Sequence, residues 1–135
     1  MKKFAFVAVI SAFALMGCKT AEQSFQEAGL KPLPTNEILK LIVGNTTNVV
    51  LAQGGIRATT YFRENGTMIA KNSRGGSSDG TWQTKGENQL CVNWAKWGRK
   101  CVKVYPSGNE YKEVDEGGKL YLTITGVRTG NPEGF

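Results

Sequence analysis

Histidine is absent from this sequence, and cysteine and proline are scarce: the 135 residues include no histidine, three cysteines and four prolines. Without histidine, the chain lacks the side chain that most often acts as a general base or metal ligand near neutral pH. The acidic residues are scattered, apart from Glu113, Asp115 and Glu116, a cluster more typical of a solvated turn than of a calcium loop. The sequence therefore predicts a protein that is not an enzyme and that has no metal or cofactor. A carboxylate pair assembled by folding is the catalytic alternative.

The sequence also lacks an apolar run long enough to cross a membrane as a helix. Residues 4–17 are almost entirely apolar, whereas a spanning helix needs roughly 18 or more such residues. Lys2 and Lys3 precede this run, and a positive start followed by a short apolar stretch is the layout of a secretory signal peptide. We therefore interpret residues 1–17 as a signal peptide.

The end of this segment, Leu15-Met16-Gly17-Cys18, resembles the bacterial lipobox. The resemblance implies that Cys18 becomes the mature N-terminus and carries a diacylglycerol and an acylated amine, an anchor much firmer than a single acyl chain. In the same pattern, Lys19 after the cysteine favours the outer membrane over the inner one. Ordinary signal-peptide cleavage, which leaves a soluble protein, is the alternative. We expect an exported lipoprotein that faces the periplasm.

Lipidation of Cys18 accounts for the odd number of cysteines, because Cys91 and Cys101 then remain as one pair in an oxidising compartment. If these two residues face each other in a hairpin, Leu90 faces Val102 on the inner face. The apolar pattern agrees with this register, which places both cysteines on the outer face. We therefore predict a structural disulfide between Cys91 and Cys101.

The net charge is moderate. It is +6 for the whole chain, and without Lys2 and Lys3 it falls to +4, from 15 basic and 11 acidic residues. For an exported protein, this basic excess favours anionic lipid headgroups or acidic envelope polymers as partners, and not nucleic acid. Residues 18–135 suffice for one domain with one core.

The first part of the mature chain is polar, and a short helix follows it. We interpret residues 18–34 as the lipidated N-terminus and a tether, with insertion into a partner as the alternative. Residues 35–44 predict a helix with an apolar face, in which Thr35 is the N-cap and Gly44 takes the left-handed exit. Residues 35–135 then form the single folded domain.

From residue 45 onward, apolar residues alternate with polar ones and turn signals recur every eight to twelve residues. These signals separate about eight short strands. The turns are Gly54-Gly55, Asn65-Gly66, Gly75-Gly76, Lys85-Gly86, Trp97-Gly98, Gly108-Asn109 and Gly117-Gly118. Asn65-Gly66 suits a type I′ turn, and the stretch 73–80 predicts a flexible connection. An antiparallel meander must protect its edge strands, and closure into a barrel does so. The predicted fold is all-β, a small lipocalin-like barrel after one short helix; a two-sheet sandwich is the alternative.

Tryptophans mark two candidate sites. Lys96, Trp97, Arg99 and Lys100 surround one turn and form a candidate surface-binding site, in which Trp97 either protrudes toward a ligand or folds back over the barrel mouth. A second set of aromatic residues is predicted to line the barrel interior: Phe62, Trp82 and Trp94.

An ordered set of short signatures over residues 36–134 resembles a family of small exported proteobacterial proteins whose function is unassigned. The signatures are Leu41-Ile42-Val43-Gly44-Asn45-Thr46, Tyr61-Phe62, Asn65-Gly66-Thr67, Gly80-Thr81-Trp82, Leu90-Cys91-Val92 with Trp94, Cys101 and Gly130-Asn131-Pro132. Gly80-Thr81-Trp82 also looks like the Gly-x-Trp of lipocalin-like and avidin-like barrels, although in lipocalins that motif lies on the first strand. The resemblance implies a small barrel and supplies no active site.

Two functions are compatible with these patterns. The first is a lipid-anchored binding module for a small apolar or envelope ligand. The second is an inhibitor or interaction protein that acts on an exported enzyme through residues 19–34 or 95–100. An open apolar cavity favours the first, and a filled barrel with a protruding tip favours the second.

Overall fold

The structure, a computed structural model, describes residues 17–135; residues 1–16, which hold most of the predicted signal peptide, lie outside the described residues. Two short helices precede eight strands. The helices are α1 (Ala21–Glu27) and α2 (Thr35–Ile42). The strands are β1 (Asn45–Leu51), β2 (Arg57–Phe62), β3 (Thr67–Asn72), β4 (Ser77–Lys85), β5 (Gln89–Trp94), β6 (Gly98–Ser107), β7 (Glu110–Val114) and β8 (Leu120–Thr129).

The eight strands form a closed antiparallel barrel in which each strand pairs with its sequence neighbour and β1 pairs with β8. All seven hairpin connections coincide with the predicted turn signals. Closure leaves no free edge strand, which is the physical reason for preferring a barrel over a sandwich. The predicted fold class is confirmed.

The barrel has two different ends. The connections β2–β3, β4–β5 and β6–β7 lie at the end where α2 enters β1, which we call the closed end. The connections β1–β2, β3–β4, β5–β6 and β7–β8 lie at the opposite end, which we call the mouth. Each candidate residue is therefore assigned below to the closed end or to the mouth.

Helix α2 plugs the closed end. Ile38 and Ile42, one turn apart on its apolar face, are 0% and 1% exposed and belong to the main core cluster. The predicted N-cap was wrong: Pro34 is the N-cap residue, and the Thr35 hydroxyl donates to the Gly86 carbonyl oxygen at 3.0 Å instead. The predicted exit was right, because Gly44 follows the helix with φ +71°.

Helix α1 lies against the outer wall of the barrel, in the segment predicted to be a tether. The Phe25 ring lies 5.4 Å from the ring of Tyr105, which is fully buried. Glu22 forms an ion pair with Lys103 at 3.5 Å, and the Leu33 amide donates to the Val104 carbonyl at 2.8 Å. The segment is therefore docked on the barrel and adds a second helix to the one predicted.

The disulfide has the predicted partners and register. Cys91 is bonded to Cys101, and these two residues face each other across the β5–β6 ladder, as do Leu90 and Val102. Both sulfur-bearing side chains are buried despite their outer-face position. The bridge therefore joins two strands that the backbone ladder already aligns.

Replacing Cys91 and Cys101 together with alanine should lower the free energy of unfolding by about 2–3 kcal/mol, because the open chain gains entropy when it unfolds. Urea denaturation followed by tryptophan fluorescence measures the change. Reducing the wild-type protein with a thiol reagent should cause a similar loss. An unchanged urea midpoint in both experiments would contradict a stabilising role.

Two local predictions were wrong. Gly66 has φ +86° but Asn65 does not have positive φ, so the β2–β3 turn is not type I′; the Asn65 side chain instead accepts the Thr67 amide at 3.0 Å. Within the stretch 73–80, only residues 73–76 are a connection, because β4 begins at Ser77. Strand pairing overrode the flexible composition there.

Candidate functional site

The mouth opens into an apolar cavity of about 250 Å³ within the barrel. Inner-face side chains of five strands and two connecting residues form its wall: Val49, Leu51, Ala58, Thr60, Ala70, Asn72, Trp94, Tyr121 and Leu122, with Ile56 and Trp97. Strand alternation places most of these side chains on one face. Tyr121 joins its neighbour Leu122 there because the β7–β8 register shifts at this point and leaves Tyr121 unpaired. Because α2 and the main core fill the closed end, the barrel is half filled and half open.

Trp97 folds back over the mouth and is also partly exposed. Its ring lies 5.3 Å from the ring of Trp94, at an angle of 56°, and both rings contribute to the cavity wall. Trp97 nevertheless remains 45% exposed, whereas Trp94 is 8% exposed. The pair therefore presents an apolar surface that runs from the cavity to the outside.

The three aromatic residues predicted in the interior do not share one site. Trp94 lines the mouth cavity, but Phe62 and Trp82 pack with the core at the closed end, 6.5 Å apart and edge to face. Trp82 is half-buried and donates its indole N–H to the Arg63 carbonyl at 3.0 Å. Of these three residues, only Trp94 is placed to meet a ligand at the mouth.

Gly80 gives Trp94 the space that it occupies. A Cβ atom at Gly80 would lie 2.6 Å from the Asn93 carbonyl oxygen and 3.1 Å from the Trp94 ring. Gly80 and Trp94 face each other across the β4–β5 ladder, so the ring covers the glycine. A close approach of this kind is a common reason for glycine within a strand.

The basic residues of the predicted surface site divide between two faces. Lys96 and Arg99 are exposed near Trp97, as predicted. Lys100 is half-buried: it faces Val92, an inner-face residue, and its Nζ lies 4.5 Å from the centroid of the Tyr121 ring. This cation–π contact keeps Lys100 beside the cavity wall, which sets it apart from the exposed Lys96 and Arg99.

Glu113 lies inside the barrel and not in a solvated turn. It faces Val104 and Leu122, both core residues, and is 7% exposed. Burial raises the pKa of Glu113 from 4.5 to about 8, because the charged form loses its hydration. At neutral pH, Glu113 is therefore mainly uncharged. Burial also raises the pKa of Tyr121, and the charge that Glu113 acquires at higher pH adds to this effect.

The rest of the acidic cluster has a structural role. One carboxylate oxygen of Asp115 accepts the amides of Gly117 and Lys119, at 2.9 and 3.0 Å, and so shapes the β7–β8 turn. Within residues 17–135, no group of three or more acidic or cysteine residues is arranged to hold a metal ion. The cluster therefore divides between the core and a turn.

A larger groove, of about 730 Å³, crosses the outer surface of β1, β2 and β3. Its wall includes polar and charged side chains such as Asn48, Arg57, Thr59 and Lys71. An open groove of mixed polarity offers little desolvation, whereas most small-molecule sites are concave and mainly apolar. The smaller mouth cavity is therefore the better candidate site.

No protein-family model matches this sequence, and no curated protein matches it. The resemblance to small exported proteobacterial proteins stays a prediction. Among residues 17–135, none of the helices has the length and apolar character needed to cross a bilayer.

Proposed function

We propose that this protein is a lipid-anchored component of a bacterial cell envelope, and that its barrel is a non-catalytic module which binds a small apolar ligand at the mouth. The observation that carries the proposal is the apolar cavity beneath Trp97. Its volume of about 250 Å³ lies below the usual range for small-molecule pockets. The cavity therefore suits one ring system or one short acyl chain, with the rest of the ligand outside.

Export and anchoring are supported by three features. The lipobox resemblance at Leu15–Cys18 comes from the sequence. Cys18 is an exposed free cysteine just before α1, where modification meets no obstacle. The bond between Cys91 and Cys101 is typical of proteins that fold in an oxidising compartment. These features agree with a mature protein held at a membrane by its N-terminus.

Cavity filling tests the ligand proposal. Ala58 lines the mouth cavity and is half-buried, so an Ala58→Phe substitution should place a ring where the ligand binds. We expect at least about tenfold weaker binding of the apolar probe 1-N-phenylnaphthylamine, a loss of roughly 1.4 kcal/mol. Fluorescence titration measures the affinity. The matched control is Ala28→Phe, at an exposed position just after α1.

The same proteins should be compared by native mass spectrometry after purification from their own host. Wild-type protein should carry an added mass that leaves on denaturation, and Ala58→Phe should not. Equal probe affinity in the wild-type protein and in Ala58→Phe, together with a wild-type mass that shows no bound ligand, would reject the mouth as a small-ligand site.

Replacing Cys18 with alanine should move the protein from the membrane fraction to the soluble fraction or leave it unprocessed, since the acylated thiol is lost. Ultracentrifugation and immunoblotting of fractionated host cells measure the distribution. A Ser24→Ala variant, altered at an exposed position of α1, is the control. A processed protein that stays in the membrane without Cys18 would contradict lipid anchoring.

The second candidate function is inhibition of, or binding to, an exported protein. The observation that favours it is Trp97, which is 45% exposed, because exposed tryptophans often anchor protein interfaces. Ala58→Phe separates the two candidates. Filling the cavity should weaken the binding of a small ligand but should not change the affinity for a protein partner that contacts the outer surface of Trp97.

A further inference from the structure

The N-terminal attachment point lies at the mouth of the barrel. The Glu22 amide donates to the Gly118 carbonyl at 3.0 Å, and a Cβ atom at Gly118 would lie 3.0 Å from the Thr20 hydroxyl. Gly118 belongs to the β7–β8 connection, which is at the mouth. Cys18 precedes Thr20 by two residues, so a lipid on Cys18 would leave the protein beside the mouth and not at the closed end.

Positive charge is concentrated at the same end. The asymmetry is in the exposed charged residues of the connections, of α2 and of the three strand residues that adjoin each end. The mouth has six cations and two acids: Arg57, Lys71, Arg74, Lys96, Arg99 and Lys119 against Asp79 and Glu116. The closed end has two cations and three acids: Lys40 and Lys85 against Glu37, Glu64 and Glu87. The mouth therefore attracts an anionic surface and the closed end does not.

Trp97 adds an apolar contact at this positive end. Within residues 17–135, Trp97 and Val127 are the two large apolar side chains that are exposed. Tryptophan favours the boundary between lipid tails and headgroups, because its ring is apolar and its N–H group is polar. Val127 lies on β8 near the closed end and is not part of this surface.

From these three observations, we propose that the mouth faces the bilayer that holds the lipid anchor, with Trp97 at the headgroup level and the surrounding cations on anionic phospholipid headgroups. This inference rests on the proposed anchoring at Cys18. It deepens the proposed function, because a mouth that faces the bilayer receives its ligand from the lipid phase. The occupant of the mouth surface is the membrane itself.

Each cation at the mouth adds to the attraction between the protein and an anionic membrane. A lysine or arginine near an anionic membrane surface contributes about 1 kcal/mol, or roughly a fivefold change in partitioning. The attraction falls off within about 10 Å at 0.1 M salt, so only the end that touches the surface benefits. Removing two cations from the mouth should therefore weaken the contact with an anionic membrane, whereas removing two from the closed end should not.

The test uses the protein purified from its host and added to vesicles of phosphatidylglycerol and phosphatidylcholine. Brominated lipids report contact of Trp97 with the bilayer by fluorescence quenching, with Trp97→Phe as the background. Lysine acetylation followed by mass spectrometry compares Lys96 and Lys119 at the mouth with Lys40 and Lys85 at the closed end. The mass of the N-terminal peptide reports separately whether Cys18 is acylated.

The expected result is quenching of Trp97 and at least about fivefold slower acetylation of Lys96 and Lys119 on anionic vesicles, with Lys40 and Lys85 unchanged. The double variant Arg74→Gln with Lys96→Gln should reduce the quenching, whereas Lys40→Gln with Lys85→Gln should not. Quenching that persists undiminished in the mouth variant would count against the role of the cations.

Other outcomes overturn the inference and leave a clear alternative. Acylated protein that binds vesicles without quenching of Trp97 keeps the anchor and rejects the orientation. Equal protection at both ends also rejects the orientation. Protection of Lys96 that requires an envelope protein and not vesicles would assign the surface to a protein partner. An unacylated N-terminal peptide would reject the proposed anchoring itself.

Discussion

Replacing Glu113 with glutamine should make the barrel more stable at alkaline pH and should nearly abolish the fall in its stability between pH 5 and pH 9. The pKa of Glu113 is about 8 in the folded protein and about 4.5 for an exposed carboxyl group. Between these values, the folded state keeps a proton that the unfolded chain releases, so the free energy of unfolding decreases as the pH rises. The expected decrease from this group is roughly 3–5 kcal/mol.

Thermal unfolding at several pH values, followed by circular dichroism, measures this effect. Wild-type protein should lose stability as the pH passes from about 5 to 9, and Glu113→Gln should stay level because its amide does not titrate. Glu116→Gln, at an exposed position in the adjoining turn, is the control and should behave like wild type. Parallel pH profiles for Glu113→Gln and wild type would show that the carboxyl group is hydrated and not buried.

Replacing Ile38 with alanine should lower the free energy of unfolding by about 2–5 kcal/mol, the range for a fully buried isoleucine that leaves a cavity. Ile38 is 0% exposed and packs in the core cluster that also holds Ile42, Leu90 and Val104. Because α2 closes one end of the barrel, the loss also opens a path for water into the core. Urea denaturation measures the stability.

The control for the plug is Asn36→Ala, an exposed position in the same helix, which should change the stability by no more than about 0.5 kcal/mol. Hydrogen exchange adds a local measurement: in Ile38→Ala, amides of the closed end should exchange faster, while those of the strand residues at the mouth keep their protection. Equal free energies of unfolding for Ile38→Ala and Asn36→Ala would show that the packing of α2 does not stabilise the barrel.

The strand pattern was readable from the sequence because strand alternation and turn chemistry are local. Each hairpin turn contains a glycine that meets the conformational demand, such as Gly66 or Gly118, both with positive φ. The pairing of Cys91 with Cys101 then determined the register of one hairpin. These local signals sufficed for the number of strands, their order and one inner face.

The same register also determines the position of Lys100. If Cys91 faces Cys101, Val92 must face Lys100, which places the lysine on the inner side of the wall. Similarly, Glu113 lies two residues after Tyr111, which packs against both core clusters, so alternation places both side chains inside. Charge alone does not place a side chain on the outer surface, because an ammonium group over a ring and a protonated carboxyl group are both tolerated away from water.

The docking of α1 had no comparable signal. Its contact with the barrel depends on Phe25 meeting Tyr105, two residues far apart in the sequence. A seven-residue helix has too few turns to show a clear apolar face. The cavity was equally hidden, since whether a barrel of this size is filled depends on how far α2 enters it.

The pairing of β1 with β8 determines how the chain can fold. The seven hairpin ladders join neighbouring strands, but the β1–β8 ladder joins residues such as Asn45 and Thr129. Contacts between such distant residues slow folding, because the chain must lose loop entropy before the contact can offset that loss. We expect hairpins to form early and ring closure to limit the rate. A chain still being made therefore holds an open meander, and becomes a barrel only when its last strand is available.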